Sequence, residues 1–431
     1  MVRLLTILTI ILSTFMLVQA PWIAALMYST VSILQPQYIW FWSFDNIAIF
    51  KVSAGLSIVA WGIYAFHGKL QWQIYNNGIF KGILFLLALY YVSDFFSPFQ
   101  TPGASVSAEQ VISIYFTIVL MFFIVLGLLD NEKALTGLVW IIIGVTLYYT
   151  YWANDHYFSG NWSQFHQERL RGPSRSPYAD GNALSIVLVI GMPFVLLSVF
   201  QLEKKWQKLV LILTIPLIWH ALILFASRGA FVAAGVSTLV ASRMLNSKIL
   251  NVILLVGFAA FMVKQGNTLT SRTSGTVAAA NSNQEAPINP RMVSWGVGID
   301  ITLKHPFLGA GPQRFQQASR AYFPGRSPHV AHSTLFNFSS NLGIFAALTY
   351  LSFFFISWKM FRANKKTLEK WPNKKLEFIN KASICSLSGF FVGALFLDLI
   401  IFEPFYFLLL VIVANNFIIK NRKQEEVLID S

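Results

Sequence analysis

The chain has 431 residues, 55% of them hydrophobic and 12% charged, with a mean hydropathy of +0.59. Soluble domains carry about 25% charged residues, so this composition excludes a soluble globular protein and indicates an integral membrane protein. The net charge of +14 is dispersed between apolar segments, which argues against nucleic-acid binding, and the single cysteine, Cys385, excludes an internal disulfide or a cysteine-based metal site.

Met1-Val2-Arg3 and the apolar run behind it imitate a signal peptide. A small-x-small cleavage site is lacking and further apolar segments follow, so the run reads as a retained first helix. A helix needs about 20 apolar residues to cross a bilayer. Segments near 4–35, 46–66, 78–97, 107–129, 133–153, 182–200, 208–226, 229–245, 249–264, 332–358, 379–400 and 402–419 are candidates, giving about 12 spans. The first is too long for one straight pass and short for two, and Pro21 stands where it would break. The expected architecture is an all-α polytopic membrane protein. Nine spans occupy 1–264, one large external loop with short interfacial helices occupies 265–331, and three spans with a tail occupy 332–431.

Lysine sets the orientation. The short segment 359–381 holds Lys359, Arg362, Lys365, Lys366, Lys370, Lys374, Lys375 and Lys381, which places it in the cytoplasm by the positive-inside rule. The other face receives 154–181 and 265–331, whose basic residues are nearly all arginine: Arg169, Arg171, Arg175, Arg272, Arg291, Arg314, Arg320 and Arg326. A topological signal needs only charge, whereas a planar two-pronged donor suits phosphate. Arginines that decorate a solvated loop or touch lipid headgroups are the plainer alternative.

Three constellations carry possible chemistry. In the first, Ser227-Arg228-Gly229 puts an arginine between two apolar runs with almost no loop, where it needs a partner or a polar cavity unless it snorkels to the surface. In the second, Pro290-Arg291 opens a segment in which Met292, Trp295, Ile299 and Leu303 fall roughly on one side, predicting an interfacial amphipathic helix. Arg291 in its first turn suits an anion, Trp295 suits the interface, and His305-Pro306 ends the helix before the turn Gly309-Ala310-Gly311-Pro312. In the third, His329 and His332 stand three residues apart where the chain re-enters the membrane. A histidine there can accept a proton near neutral pH, while zinc lacks a recognisable third ligand; helix capping is the alternative for His332 and the stronger one for His329. Asp180 and Asn182, behind Arg169, Arg171 and Arg175, are candidate substrate contacts or helix caps. Trp152, Tyr157, Trp162 and Tyr322 offer apolar faces to sugar rings, although interfacial aromatics are expected in any membrane protein.

Ser-Arg-Gly at 227–229, Arg291 with Trp295 ahead of His-Pro-Phe-Leu-Gly-Ala-Gly-Pro at 305–312, and Ala-His-Ser at 331–333 together resemble the O-antigen ligase and polymerase superfamily. The resemblance covers roughly 165–350; Ala20-Pro21-Trp22 and Gln35-Pro36 also resemble the O-glycosylation ligases associated with exosortase systems. It implies a GT-C-type glycosyltransferase of the bacterial inner membrane, metal-independent and without cofactor. Such an enzyme moves a glycan from an undecaprenyl-diphosphate carrier to lipid A-core, a growing glycan or a protein on the periplasmic face. By the same resemblance the essential arginines and histidine fall on Arg228, Arg291 and His332. Arg169, Arg171, Arg175, Asp180, Asn182, Trp295, Arg314, Arg320, Arg326 and His329 are candidates for substrate binding. Relatives often carry a glutamate ahead of the glycine that follows the histidine. Here 339–343 reads Ser-Ser-Asn-Leu-Gly, so that role is absent or passes to Asp180, Asp398 or Glu403. A lipid-linked glycan transporter and a non-enzymatic scaffold are the competing classes; few ionisable residues lie within the spans, which disfavours transport.

Overall fold

The computed structural model describes residues 2–430 except 45–46, 101–106, 249, 254, 258, 261–289 and 326–329. Helices dominate: α1 Val2–Phe15, α2 Trp22–Leu34, the single turns α3 Pro36–Ile39 and α4 Phe41–Phe44, α5 Ile49–Phe66, α6 Gly78–Phe95, α7 Ala108–Leu128, α8 Glu132–Phe158, α9 Gly181–Ser198, α10 Lys205–Leu224 and α11 Arg228–Leu245. After the external segment begin α12 Pro290–Lys304, α13 Phe315–Tyr322, α14 Thr334–Leu342, α15 Ile344–Lys370, α16 Lys374–Ala394 and α17 Glu403–Asp430.

Among the described residues, 8 helices are long and apolar enough to cross a membrane: α5 to α10, α15 and the first part of α17. About 12 were expected, and the difference has local causes. The run 4–35 divides at Pro21 into helices of 14 and 13 residues, and Ser13 Oγ reaches back to Met27 Sδ. At 1.5 Å per residue each is about 20 Å long, short of the ~30 Å hydrocarbon core. α11 carries Arg228 and Arg243, and α16 starts on Lys374 and Lys375, so both are less apolar than their length suggests. The run 249–264 lies partly outside the described residues. The run 332–358 is two helices, α14 and α15, separated at Gly343 with φ 88°.

That break is made by the chain that crosses it. The backbone of Ile344 donates to Pro306, Ala310 to Ser340 and Gly311 to Asn341, each at 2.8 Å. A Cβ on Gly343 would lie 2.2 Å from the Phe307 carbonyl oxygen, and one on Gly309 would lie 2.3 Å from the Asn341 carbonyl carbon. Only glycine allows this approach at positive φ. The motif at 305–312 is therefore a clasp that fastens the external segment into the helical body.

α9 is the central helix, buried along 89% of its length, while α5 and α15 bury only 22% and 28% and leave long apolar faces outward. Small residues let the inner helices close up, as membrane packing requires. A Cβ on Gly191 would collide with Thr146 of α8, and one on Gly389 would press on Ser237 of α11 and Val189 of α9.

The two ends of the bundle differ chemically. At the lysine-bearing end, Asn373 donates to Glu132 at 2.8 Å, Lys375 pairs with Glu132 at 3.8 Å, and Asn421 donates to Gln71 at 3.0 Å. At the opposite end lie the last turns of α6, α8, α10 and α16, the first turns of α9, α11 and α17, and the clasp. Arg169, Arg228 and Arg291 belong to that end.

Candidate functional site

The site begins with a tight hairpin. Strands β1 Phe165–His166 and β2 Arg169–Leu170 pair antiparallel, with both intervening residues, Gln167 and Glu168, at positive φ. Such a turn matches the twist of two short strands. β2 runs across the first turn of α9, where a Cβ on Gly181 would sit 2.4 Å from the Leu170 carbonyl oxygen. Arg169 is thereby aimed at two elements at once, donating to Asn182 Oδ1 at 2.9 Å and, more weakly, to the Phe225 carbonyl at 3.4 Å. The Asn182 amide donates to both oxygens of Asp180, at 3.1 and 3.0 Å, and Asp180 also caps α9 by accepting from the Asn182 backbone. The cap and substrate-contact readings of Asp180 and Asn182 are thus compatible in space.

Phe225 ends α10, and the chain turns through Ala226, at φ 49°, to start α11 on an exposed Arg228. Ser227 caps that helix by accepting from the Ala230 amide at 3.4 Å. Gly229 is close to Phe396, at 3.1 Å from a would-be Cβ. Phe396 in turn packs on Trp295, ring centroids 6.0 Å apart, and Trp295 meets Phe336 at 5.9 Å. Trp295 stands one turn beyond Arg291 on α12, so this aromatic column carries the Arg291 helix to the α11 start.

The charges around Arg291 come from the same elements. Burial, and next to it the charges of Arg228 and Arg169, hold the Arg291 guanidinium below its ordinary value, and Asp180 acts in the opposite sense. Arginine remains charged regardless. Arg228 and Arg169, from two other segments, thus act on Arg291 with an excess of positive charge over Asp180 that an anion would relieve.

His332 adopts φ 52°, a left-handed conformation that costs a non-glycine residue roughly 1–2 kcal/mol. Its neighbours hold it there. Ala331 is buried in a cluster with Val297 and Ile301 of α12. Thr334 Oγ1 donates to the Leu397 carbonyl at 2.7 Å and accepts from the Leu399 amide at 3.0 Å. The Asn337 amide donates to the Asp398 carboxylate. His332 thus lies between the Arg291 helix and the 395–402 turn that bears Phe396.

Other candidates lie apart. Arg314 pairs with Asp94 at 2.5 Å and is largely buried, while its backbone amide donates to Asn341 at 3.2 Å; both bonds belong to the clasp. Arg320 is exposed on α13, and Arg171 and Arg175 are exposed on the 154–181 segment. Arg326 and His329 lie outside the described residues, as does Arg272. Among the described residues, no three His, Cys, Asp or Glu side chains cluster as a metal site would need. Sequence reasoning missed Phe396 and Asp94. An aspartate at the end of an apolar span is a signal for the latter; a phenylalanine among thirty-nine is no signal at all.

No curated protein matches the chain. Residues 209–351 match the family model described as O-antigen ligase. The match runs from α10 into α15 and includes Arg228, Arg291, Trp295 and His332, whereas Arg169, Asp180 and Asn182 precede it. The part of the chain that supplies Arg228, Arg291 and His332 is an O-antigen ligase family domain.

Proposed function

We propose that the protein is a glycosyltransferase of the bacterial inner membrane that ligates a glycan, carried on undecaprenyl diphosphate, to a hydroxyl of lipid A-core or a related acceptor on the periplasmic face. The feature that supports this reading is the set of charges acting on Arg291, from Arg228, Arg169 and Asp180, with Arg169 held by Asn182. A diphosphate is the anion that three such planar donors fit. Its negative charge grows as the glycosidic bond to it breaks. A well-placed donor contributes about 3–4 kcal/mol to that transition state in a water-poor site.

The acceptor oxygen attacks the anomeric carbon from the face opposite the diphosphate, so the configuration inverts. The C–O bond to the carrier breaks and the electron pair leaves on the diphosphate. The hydroxyl proton passes to the His332 imidazole, a step typically contributing about 10²–10⁴-fold. Arg228 and Arg291 hold the leaving diphosphate, and Asn182, tied to Asp180, orients Arg169 toward it.

The test is transfer in vitro from a defined undecaprenyl-diphosphate glycan to lipid A-core. Wild-type protein gives the ligated product. Arg228→Ala, Arg291→Ala and His332→Ala variants that fold and reach the membrane lose it; transfer at wild-type rate in those variants rejects the assignment.

A further inference from the structure

A cavity of about 960 Å³ opens beside the arginine cluster, between the end of α8, the α3–α4 turns and the 161–175 stretch. That is the upper end of the size of ligand sites, roughly 300–1,000 Å³. Much of its lining is aromatic. Trp152 is buried and lies against His156, centroids 4.3 Å apart, while Trp40 meets Tyr148 edge-on at 5.3 Å and Tyr151 is exposed. Its polar lining includes the Asp155 carboxylate, the Gln37 and Gln164 amides and the Arg175 guanidinium. Gln37 Oε1 is shut away from solvent with no hydrogen-bond partner among the described residues.

We infer that this cavity is a saccharide-binding site and that it holds the sugar chain of the acceptor. Flat rings matched to the C–H faces of pyranoses, interleaved with planar groups that grip adjacent hydroxyls, are what a sugar requires. A lipid tail would leave the Gln37 Oε1 acceptor without a partner and set the Asp155 carboxylate and the Arg175 guanidinium against hydrocarbon. Interfacial belt aromatics face outward at headgroup level, whereas Trp152 is only 9% exposed and lines the cavity wall.

The position favours the acceptor. Gln164 Nε2 donates to the carbonyls of Gly172, at 2.8 Å, and Arg171, at 3.2 Å, and the Gly172 amide donates to Ala179 at 3.2 Å. This compact segment puts Arg175 in the cavity and Arg169 with Asp180 in the arginine cluster, making it a wall shared by the two sites. The assignment to the acceptor rests on the proposed transfer reaction; the assignment to a saccharide does not.

The experiment is calorimetric titration of the full chain, in nanodiscs of neutral phospholipid, with core oligosaccharide released from lipid A. Saturable binding is expected. Asp155→Asn and Tyr151→Ala should weaken it tenfold or more, Trp152→Ala should abolish it, and Arg291→Ala should leave it unchanged. Absence of saturable binding, or equal binding by the three cavity variants and the wild type, overturns the saccharide site. In transfer assays Asp155→Asn should raise KM for the acceptor tenfold with KM for the donor unchanged, and the reverse split overturns the acceptor assignment. Binding without transfer by the wild-type protein would reject the transfer reaction and leave the saccharide site standing.

Discussion

Arg291 lies near enough to Arg228 to be repelled by it, and Arg169 adds to the repulsion. Bringing like charges together while removing one from water opposes folding. The arrangement makes physical sense as a receptor for an anion that supplies the missing negative charge. Stability and function should therefore separate at this position. Arg291→Ala is expected to keep or raise the thermal midpoint in detergent while transfer falls about 10²–10³-fold. Inorganic pyrophosphate should raise the midpoint of the wild-type protein and not that of the variant. A midpoint that drops sharply in Arg291→Ala, with no response of the wild type to pyrophosphate, would make Arg291 a structural residue.

The link from Asp180 through Asn182 to Arg169 gives a second expectation. Asn182→Ala releases Arg169 from its 2.9 Å bond and leaves Asp180 as the α9 cap without its side-chain amide donor. KM for the lipid-linked donor should rise about tenfold, the size of one charge-assisted hydrogen bond, with KM for the acceptor unchanged. Initial rates over both substrates check this, and an unchanged donor KM would detach Arg169 from the donor site.

The sequence exposed the membrane class and the uneven charge of the two ends better than it exposed the span count. Charge type separated the lysine-bearing face from the arginine-bearing one, and Arg228 and Arg291 stood out because arginine beside apolar helix is costly without a purpose. Hydropathy alone merged α14 with α15, because the break at Gly343 depends on a backbone crossing from 306–311 that no window of local sequence contains. It likewise left Arg314 undecided between ligand and surface. Its partner, Asp94, belongs to a distant helix, so pairing them required the fold.

Arg314 should therefore behave unlike Arg291. Its side chain is 11% exposed and ion-paired with Asp94, so Arg314→Ala leaves a carboxylate without its cation beside the clasp. A loss of about 1–3 kcal/mol is expected, read as a lower unfolding midpoint. Asp94→Asn in the same chain should restore part of it, because the uncompensated charge is then gone. Transfer per folded molecule should remain within severalfold of wild type. Unimpaired stability with a specific loss of donor affinity would instead make Arg314 a donor contact.

The 395–402 turn yields a prediction about pH. Its Asp398 accepts from the Asn337 amide, while Oδ1 is enclosed with no hydrogen-bond partner among the described residues. Burial raises this carboxyl from 3.8 to about 6, against the hydrogen bonds from Asn337 and the Ile400 backbone, which lower it. Because the folded value lies above the unfolded one, the folded protein binds more protons between them, and stability falls as pH rises through that interval. The contribution is complete below the unfolded value and lost once pH has passed through the folded one. At roughly 1.4 kcal/mol per unit, the isolated effect amounts to at most about 3 kcal/mol. Asp398→Asn keeps the shape and a neutral acceptor for Asn337, and should remove this contribution to the pH dependence. Unfolding midpoints at about pH 4.5 and about pH 7 provide the measurement. The wild type should lose stability across the interval relative to the variant, and a gap between the two that stays constant would show that Asp398 does not titrate there. The same turn presents Phe396 to Gly229 and Trp295, so its loosening above pH 6 should also slow transfer in the wild type before the variant is affected.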